Sequence, residues 1–131
     1  MPVTIRLWDA AIPGTRTEAG AITLTDSRIT VRELIRSRVR QEVERYNQAL
    51  PEVFEGMVQP EQSERILNGY RMAARRRLDP EAQCHRACAS FDSNGFLLLV
   101  DGAQVTELDH WLDLRPGSEI EFVKLVPLIG G

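Results

Sequence analysis

Cysteine, histidine and aromatic residues are scarce in this chain. Its 131 residues include two cysteines and two histidines, and aromatics make up 6% of the total. Cys84 and Cys88 alone cannot staple a small secreted scaffold, so reduced thiols in a reducing, cytoplasmic compartment are expected. His85 and His110 are the only histidines, and neither sits in a context that joins a nucleophile, a base and an orienting acid. A phosphate loop, a dinucleotide fingerprint and a nucleophile elbow are all missing. The chain is therefore not expected to be an enzyme or to hold a cofactor. No apolar run approaches the roughly 20 residues that span a bilayer, and no basic segment leads into an apolar one at the start. Basic excess is lacking as well: the net charge is −3, which gives no reason to expect nucleic acid or membrane as the main partner.

What is present suits one compact domain, with 43% hydrophobic residues to fill a core. Val3, Ile5 and Leu7 alternate with Thr4, Arg6 and Trp8, the period of a half-buried strand, and Trp8 falls on the outward parity. Asp9 to Gly20 contains Pro13-Gly14 among small and polar residues and reads as a loop. Ile22 and Leu24 then suggest a returning strand. Thr30 and Glu33 have the spacing of a capping box. Behind it Val31, Leu34, Ile35, Val39, Val43, Tyr46 and Leu50 recur at steps of three or four, an apolar stripe on one long helix that Pro51 ends.

Residues 51–92 read as a helical insert. Ile66, Leu67, Tyr70, Ala74 and Leu78 have helical spacing across Pro60 to Leu78, with Gly69 weakening the middle. Asp79-Pro80 is a start signal for a second helix to about Ala89. Cys84-His85-x-x-Cys88 has metal-ligand residue types, but on a helix His85 is turned about 100° from the cysteine face, so the three do not converge and no metal is expected. Arg71, Arg75, Arg76 and Arg77 form either a solvated face balanced by Glu61, Glu64, Asp79 and Glu81 or a docking surface for an acidic protein.

From Gly95 onward, apolar runs alternate with tight turns. Phe96 to Val100 is closed by Asp101-Gly102, a two-residue hairpin signal, and Ala103 to Val105 pairs back. After the Arg115-Pro116-Gly117 turn, Ile120 and Phe122 alternate with Glu119 and Glu121 as a last strand. With Ile120 and Phe122 facing inward, Val123 and Leu125 fall to the opposite face. There they join Trp8 either as residues covered by the insert or as a partner-docking patch.

The chain closes on Pro127-Leu128-Ile129-Gly130-Gly131, read as a flexible tail. Fully extended, that segment reaches roughly 16 Å. Pro127 stiffens its base, and glycines without Cβ can pass a narrow channel. The Gly131 carboxyl, with an ordinary pKa of about 3.5, is ionised and inert at neutral pH until something activates it.

The V-D-G-x-x-V turn, the L-x-L-x-x-G-x-E-I-E-F strand and the proline-bearing tail ending in Gly-Gly resemble the ubiquitin-like β-grasp proteins. The likeness is strongest to the prokaryotic branch that contains the molybdopterin-synthase small subunit, the thiamin-pathway sulfur carrier and bacterial ubiquitin-like modifiers. It is specific from about Val100 to Gly131. The resemblance implies an α+β fold, a mixed sheet of four or five strands packed on one long helix, here with the insert at 51–92. It also implies partners: an activating enzyme that uses ATP to adenylate Gly131, a conjugating enzyme and target protein, and a deconjugating peptidase. Pro127, Leu128 and Ile129 would thread the partner's channel behind Gly130 and Gly131, while Val123, Leu125 and Trp8 would dock. A sizeable insert suits a protein modifier better than a sulfur carrier that ends in a thiocarboxylate. A non-transferable interaction module is the third reading.

Overall fold

A computed structural model describes residues 2–12, 14–66, 69–74 and 76–125. Over these it is α+β. The elements run β1 (Val3–Ile12), β2 (Arg16–Leu24), β3 (Arg28–Thr30), α1 (Val31–Ala49), β4 (Val53–Phe54), β5 (Ser63–Ile66), β6 (Gly69–Met72), α2 (Pro80–Asp92), β7 (Leu97–Val100), β8 (Ala103–Val105), β9 (Trp111–Asp113) and β10 (Glu119–Leu125). They fall into two compact units. Residues 1–33 and 91–131 make one, residues 34–90 the other, and the chain passes between them inside α1 and again inside α2. No described helix is long and apolar enough to cross a membrane.

The first unit holds a mixed five-stranded sheet in the order β2-β1-β10-β7-β8. β10 lies in its middle, parallel to β1 from Arg6↔Glu119 to Ile12↔Leu125 and antiparallel to β7. The alternation of β1 buries Val3, Ile5 and Leu7, and their partners on the same face include Ile22, Leu24, Leu98, Ile120 and Phe122, all buried. Asp101 (φ 51°) and Gly102 (φ 82°) both adopt the left-handed region of the hairpin turn between β7 and β8. The Asp101 carboxylate accepts from the Glu119 amide at 2.8 Å, and its own amide donates to the Glu119 carbonyl at 2.8 Å. This clasp ties the turn to the first residue of β10.

The loop expected over Asp9 to Gly20 is mostly strand. β1 continues to Ile12 and β2 begins at Arg16. Small and polar side chains mislead there because β2 is an edge strand, exposed along most of its length. The register shifts between Leu7, opposite Gly20, and Trp8, opposite Glu18, so Ala19 is extra. Gly20, at φ 97°, supplies the backbone turn that this bulge needs. β3 and β9 form a separate ribbon that the sequence pattern did not suggest.

In the second unit, the helix expected from Pro60 to Leu78 is absent. β5 and β6 form a hairpin with Ile66 opposite Gly69, and β4 joins as a third strand. The pairing of Ile66 with Gly69 leaves only two residues to join the strands, and that short connection overrides the helical spacing around it. Gly69 has φ 145°, and a Cβ there would lie 2.7 Å from the Phe54 carbonyl oxygen. Arg71 accordingly sits in β6, Arg76 and Arg77 follow it in irregular chain, and Arg75 is outside the described residues.

Both helices start as their signals indicate; α1 also stops where expected, whereas α2 runs three residues past Ala89 to Asp92. Thr30 Oγ1 accepts from the Glu33 amide at 3.2 Å, which caps α1. Leu50, at φ 45°, closes it, its amide donating to the Tyr46 carbonyl at 2.7 Å. Asp79 Oδ1 accepts from the Glu81 amide at 3.3 Å and caps α2, with Pro80 in the first turn.

Candidate functional site

Parallel pairing with β1 brings the end of β10 to the Ile12 end of the sheet. The segment that follows it, including Pro127, Leu128, Ile129, Gly130 and Gly131, lies outside the described residues, as does the side chain of Leu125. What can be built upward is the sheet face beside this exit. Because side chains alternate across a strand, Ala10, Val123 and Leu97 form one row on the face opposite the core, and Trp8, Glu121 and Leu99 the next.

Val123, which the sequence leaves either covered or in a docking patch, is only 3% exposed. The reason is its strand: in the middle of the sheet it has Ala10 on one flank and Leu97 on the other, with Trp8 and Leu99 one row away. Trp8, Ala10, Leu97 and Leu99 are half-buried. The Arg16 guanidinium lies 3.9 Å from the Trp8 ring centroid and also reaches Glu119 at 3.4 Å. Arg6 and Glu18 pair at 3.3 Å farther along the same face. Trp8 is thus a roofed aromatic beside a shielded valine, flanked by ion pairs that are exposed and individually weak.

One surface aromatic escaped the sequence reading. Trp111 is 56% exposed on β9, with Arg28 5.2 Å from its ring centroid. Its alternation with buried Leu112 would have shown its parity had β9 been recognised as a strand. Its neighbours Arg32 and Asp109 pair at 3.2 Å.

The second unit holds the other chemistry-bearing side chains. Cys84 is fully buried and its thiol donates to the Arg36 carbonyl at 3.6 Å. Burial pushes the Cys84 thiol up from its ordinary value, against the pull of Arg36 and Arg40, so the nucleophilic thiolate is disfavoured. Cys88 is buried too, while His85 is exposed. Hydrogen bonds from Arg36 (2.7 Å) and then Arg40 (2.6 Å) hold the Glu81 carboxyl below its usual value. Among the described residues, no three His, Cys, Asp or Glu side chains gather where a metal ion could sit. The described histidines do not lie in any such cluster, and His110 contributes main-chain hydrogen bonds, its carbonyl accepting from Val31 at 3.0 Å.

No protein-family model, no curated protein and no solved structure gives a significant match to the chain.

Proposed function

We propose that the chain is a ubiquitin-like protein modifier with a β-grasp fold, and that its Gly131 carboxylate is the acyl group transferred to a target amine. The observation that carries the reading is the strand order β2-β1-β10-β7-β8 with β1 and β10 parallel at the centre. An opening hairpin, a long helix, a second hairpin and a last strand returned to the middle of the sheet support a β-grasp. The last strand runs straight into Pro127 and the terminal Gly-Gly.

The chemistry follows from the terminus. A free carboxylate repels nucleophiles, so adenylation by an ATP-dependent activating enzyme must first convert Gly131 into a mixed anhydride. A cysteine thiolate of that enzyme, or of a conjugating enzyme, displaces AMP to give a thioester, and a target amine then displaces the thiol to give an amide. Gly131 and Gly130, lacking side chains, let the partner's backbone close around the reacting carbonyl. Trp8 and the rows beside it offer a docking face in which Val123 is the floor rather than a contact.

The test is expression of a tagged chain, full length and without Gly130-Gly131, in the native host, followed by denaturing purification and intact-mass measurement. Adducts of higher mass that vanish with the deletion support the modifier. Replacement of one terminal oxygen by sulfur, without adducts, would point instead to a sulfur carrier. A deletion that leaves both mass pattern and function unchanged refutes acyl transfer.

A further inference from the structure

Of the 16 basic side chains in the sequence, 15 are arginine, and Lys124 is the single lysine. An arginine guanidinium stays protonated at any physiological pH and cannot attack a thioester, whereas a lysine amine can once it sheds its proton. We infer, on the basis of the modifier reading above, that this chain is an acyl donor that does not serve as its own lysine acceptor, so that it is attached to each target lysine as one copy rather than as a lysine-linked polymer.

The position of Lys124 strengthens the chemical argument. It sits in β10, paired with Ala11 of β1, on the same parity as buried Ile120 and Phe122, and it is itself half-buried. Its stem therefore runs along the core-facing side of the middle strand. It is also close to the tail in covalent terms. Seven peptide units separate it from Gly131, a reach of at most about 24 Å. An enzyme holding Gly131 works within that distance of Lys124. A second copy joined there would occupy the base of the acceptor's own tail.

The step being excluded is simple to balance. A deprotonated lysine nitrogen attacks the Gly131 carbonyl, the C–N bond forms, the C–S bond of the thioester breaks, and the thiolate leaves and is protonated; nothing is oxidised or reduced. Within this sequence Lys124 is the one side-chain amine that can take that role, and it is half-buried at the base of the tail.

The experiment uses the full chain with a lysine-free tag in the native host, as wild type, Lys124→Arg and Arg6→Lys, with trypsin digestion of the adducts under denaturing conditions. Cleavage after residue 124, whether lysine or arginine, leaves residues 125–131 as a remnant on every acceptor lysine. The expected result is remnants on lysines of other proteins and none on Lys124, mass steps of one 14.8 kDa chain plus its tag per acceptor site, and no change in the adduct pattern with Lys124→Arg. Arg6 has a side chain 65% exposed, so Arg6→Lys should introduce self-linkage at residue 6. Remnants on Lys124, or a ladder that Lys124→Arg collapses, overturns the inference while leaving the modifier reading standing. Failure of Arg6→Lys to produce any self-linkage overturns it too, because enzyme choice rather than amine supply would then set the single step. Absence of remnants everywhere sinks both together.

Discussion

Residues 1–33 and 91–131 carry six basic and eleven acidic side chains, a formal charge of −5, whereas residues 34–90 carry ten and eight, or +2. The interiors differ in the same sense. In the first unit the buried set is apolar apart from Ser118, with the Phe96 ring 5.8 Å from Phe91 and 6.1 Å from Phe122. The second buries Arg38 and Gln83, pairs Arg38 with Glu42 at 3.3 Å, and encloses a Tyr46 hydroxyl without a partner. Both units have apolar cores, and the second adds to its own a few buried polar groups that must find each other. In the first, volume-conserving apolar exchanges should be tolerated best; the second is constrained in addition by its buried polar partners.

The largest effect that could break this contrast is in the first unit. Phe122→Ala removes a ring that is 1% exposed, and should cost about 3–5 kcal/mol in urea unfolding. In the second unit Arg38→Ala strands Glu42, whose side chain is 13% exposed and also accepts from the Met57 amide at 3.2 Å. A loss of about 3 kcal/mol is expected, and the double change Arg38→Met with Glu42→Leu should recover most of it. If the double variant is as weak as the single one, the unit does not depend on the pair as such. Gly69→Ala should cost about 2 kcal/mol, since it adds left-handed strain to a clash with the Phe54 carbonyl. Amide exchange should then rise first in residues 52–72.

Tyr46→Phe tests the opposite sign. It deletes an orphan hydroxyl but keeps the ring packed 5.4 Å from Phe54, so thermal unfolding should shift upward, by up to about 1 kcal/mol. A loss would mean that the hydroxyl does have a partner. The smallest effect belongs to Glu81, whose folded carboxyl is held below its usual value of 4.5 by Arg36 first and Arg40 second. A depressed acid stabilises the fold above its unfolded pKa, and that contribution is lost as the pH falls through the lower folded value. Stability of the wild type should therefore decline more steeply below about pH 4.5 than that of Glu81→Gln, and salt should narrow the gap.

The same contrast explains what could be read from residues alone. In the first unit, Val3-Ile5-Leu7, Asp101-Gly102 and Arg115-Pro116-Gly117 are local signals whose period and turn chemistry agree, and their strands and turns lie where those signals put them. Only the first part of the edge strand β2, from Arg16 to Gly20, hid, because exposure on both faces removes alternation there. In the second unit two codes competed over Ser63 to Met72. Helical spacing of Ile66, Tyr70 and Ala74 pointed one way and Gly69, with a φ of 145° that no helix uses, the other, and the hairpin prevailed. For the candidate site, strand parity placed Val123 and Trp8 on one face, but only the strand order reveals that the middle position shields the valine.

Pairing of Arg6 with Glu119 carries a kinetic cost for the nascent molecule. Contacts so remote in sequence require closing a very long loop, which slows folding compared with hairpins made of neighbours. Until the last strand is synthesised, β1 and β7 each expose an unpaired edge toward the gap between them, the kind of surface that recruits stray strands. Insertion of Glu119–Leu125 seals both edges in one event, so this protein should be most prone to aggregation during its synthesis and far less so once released.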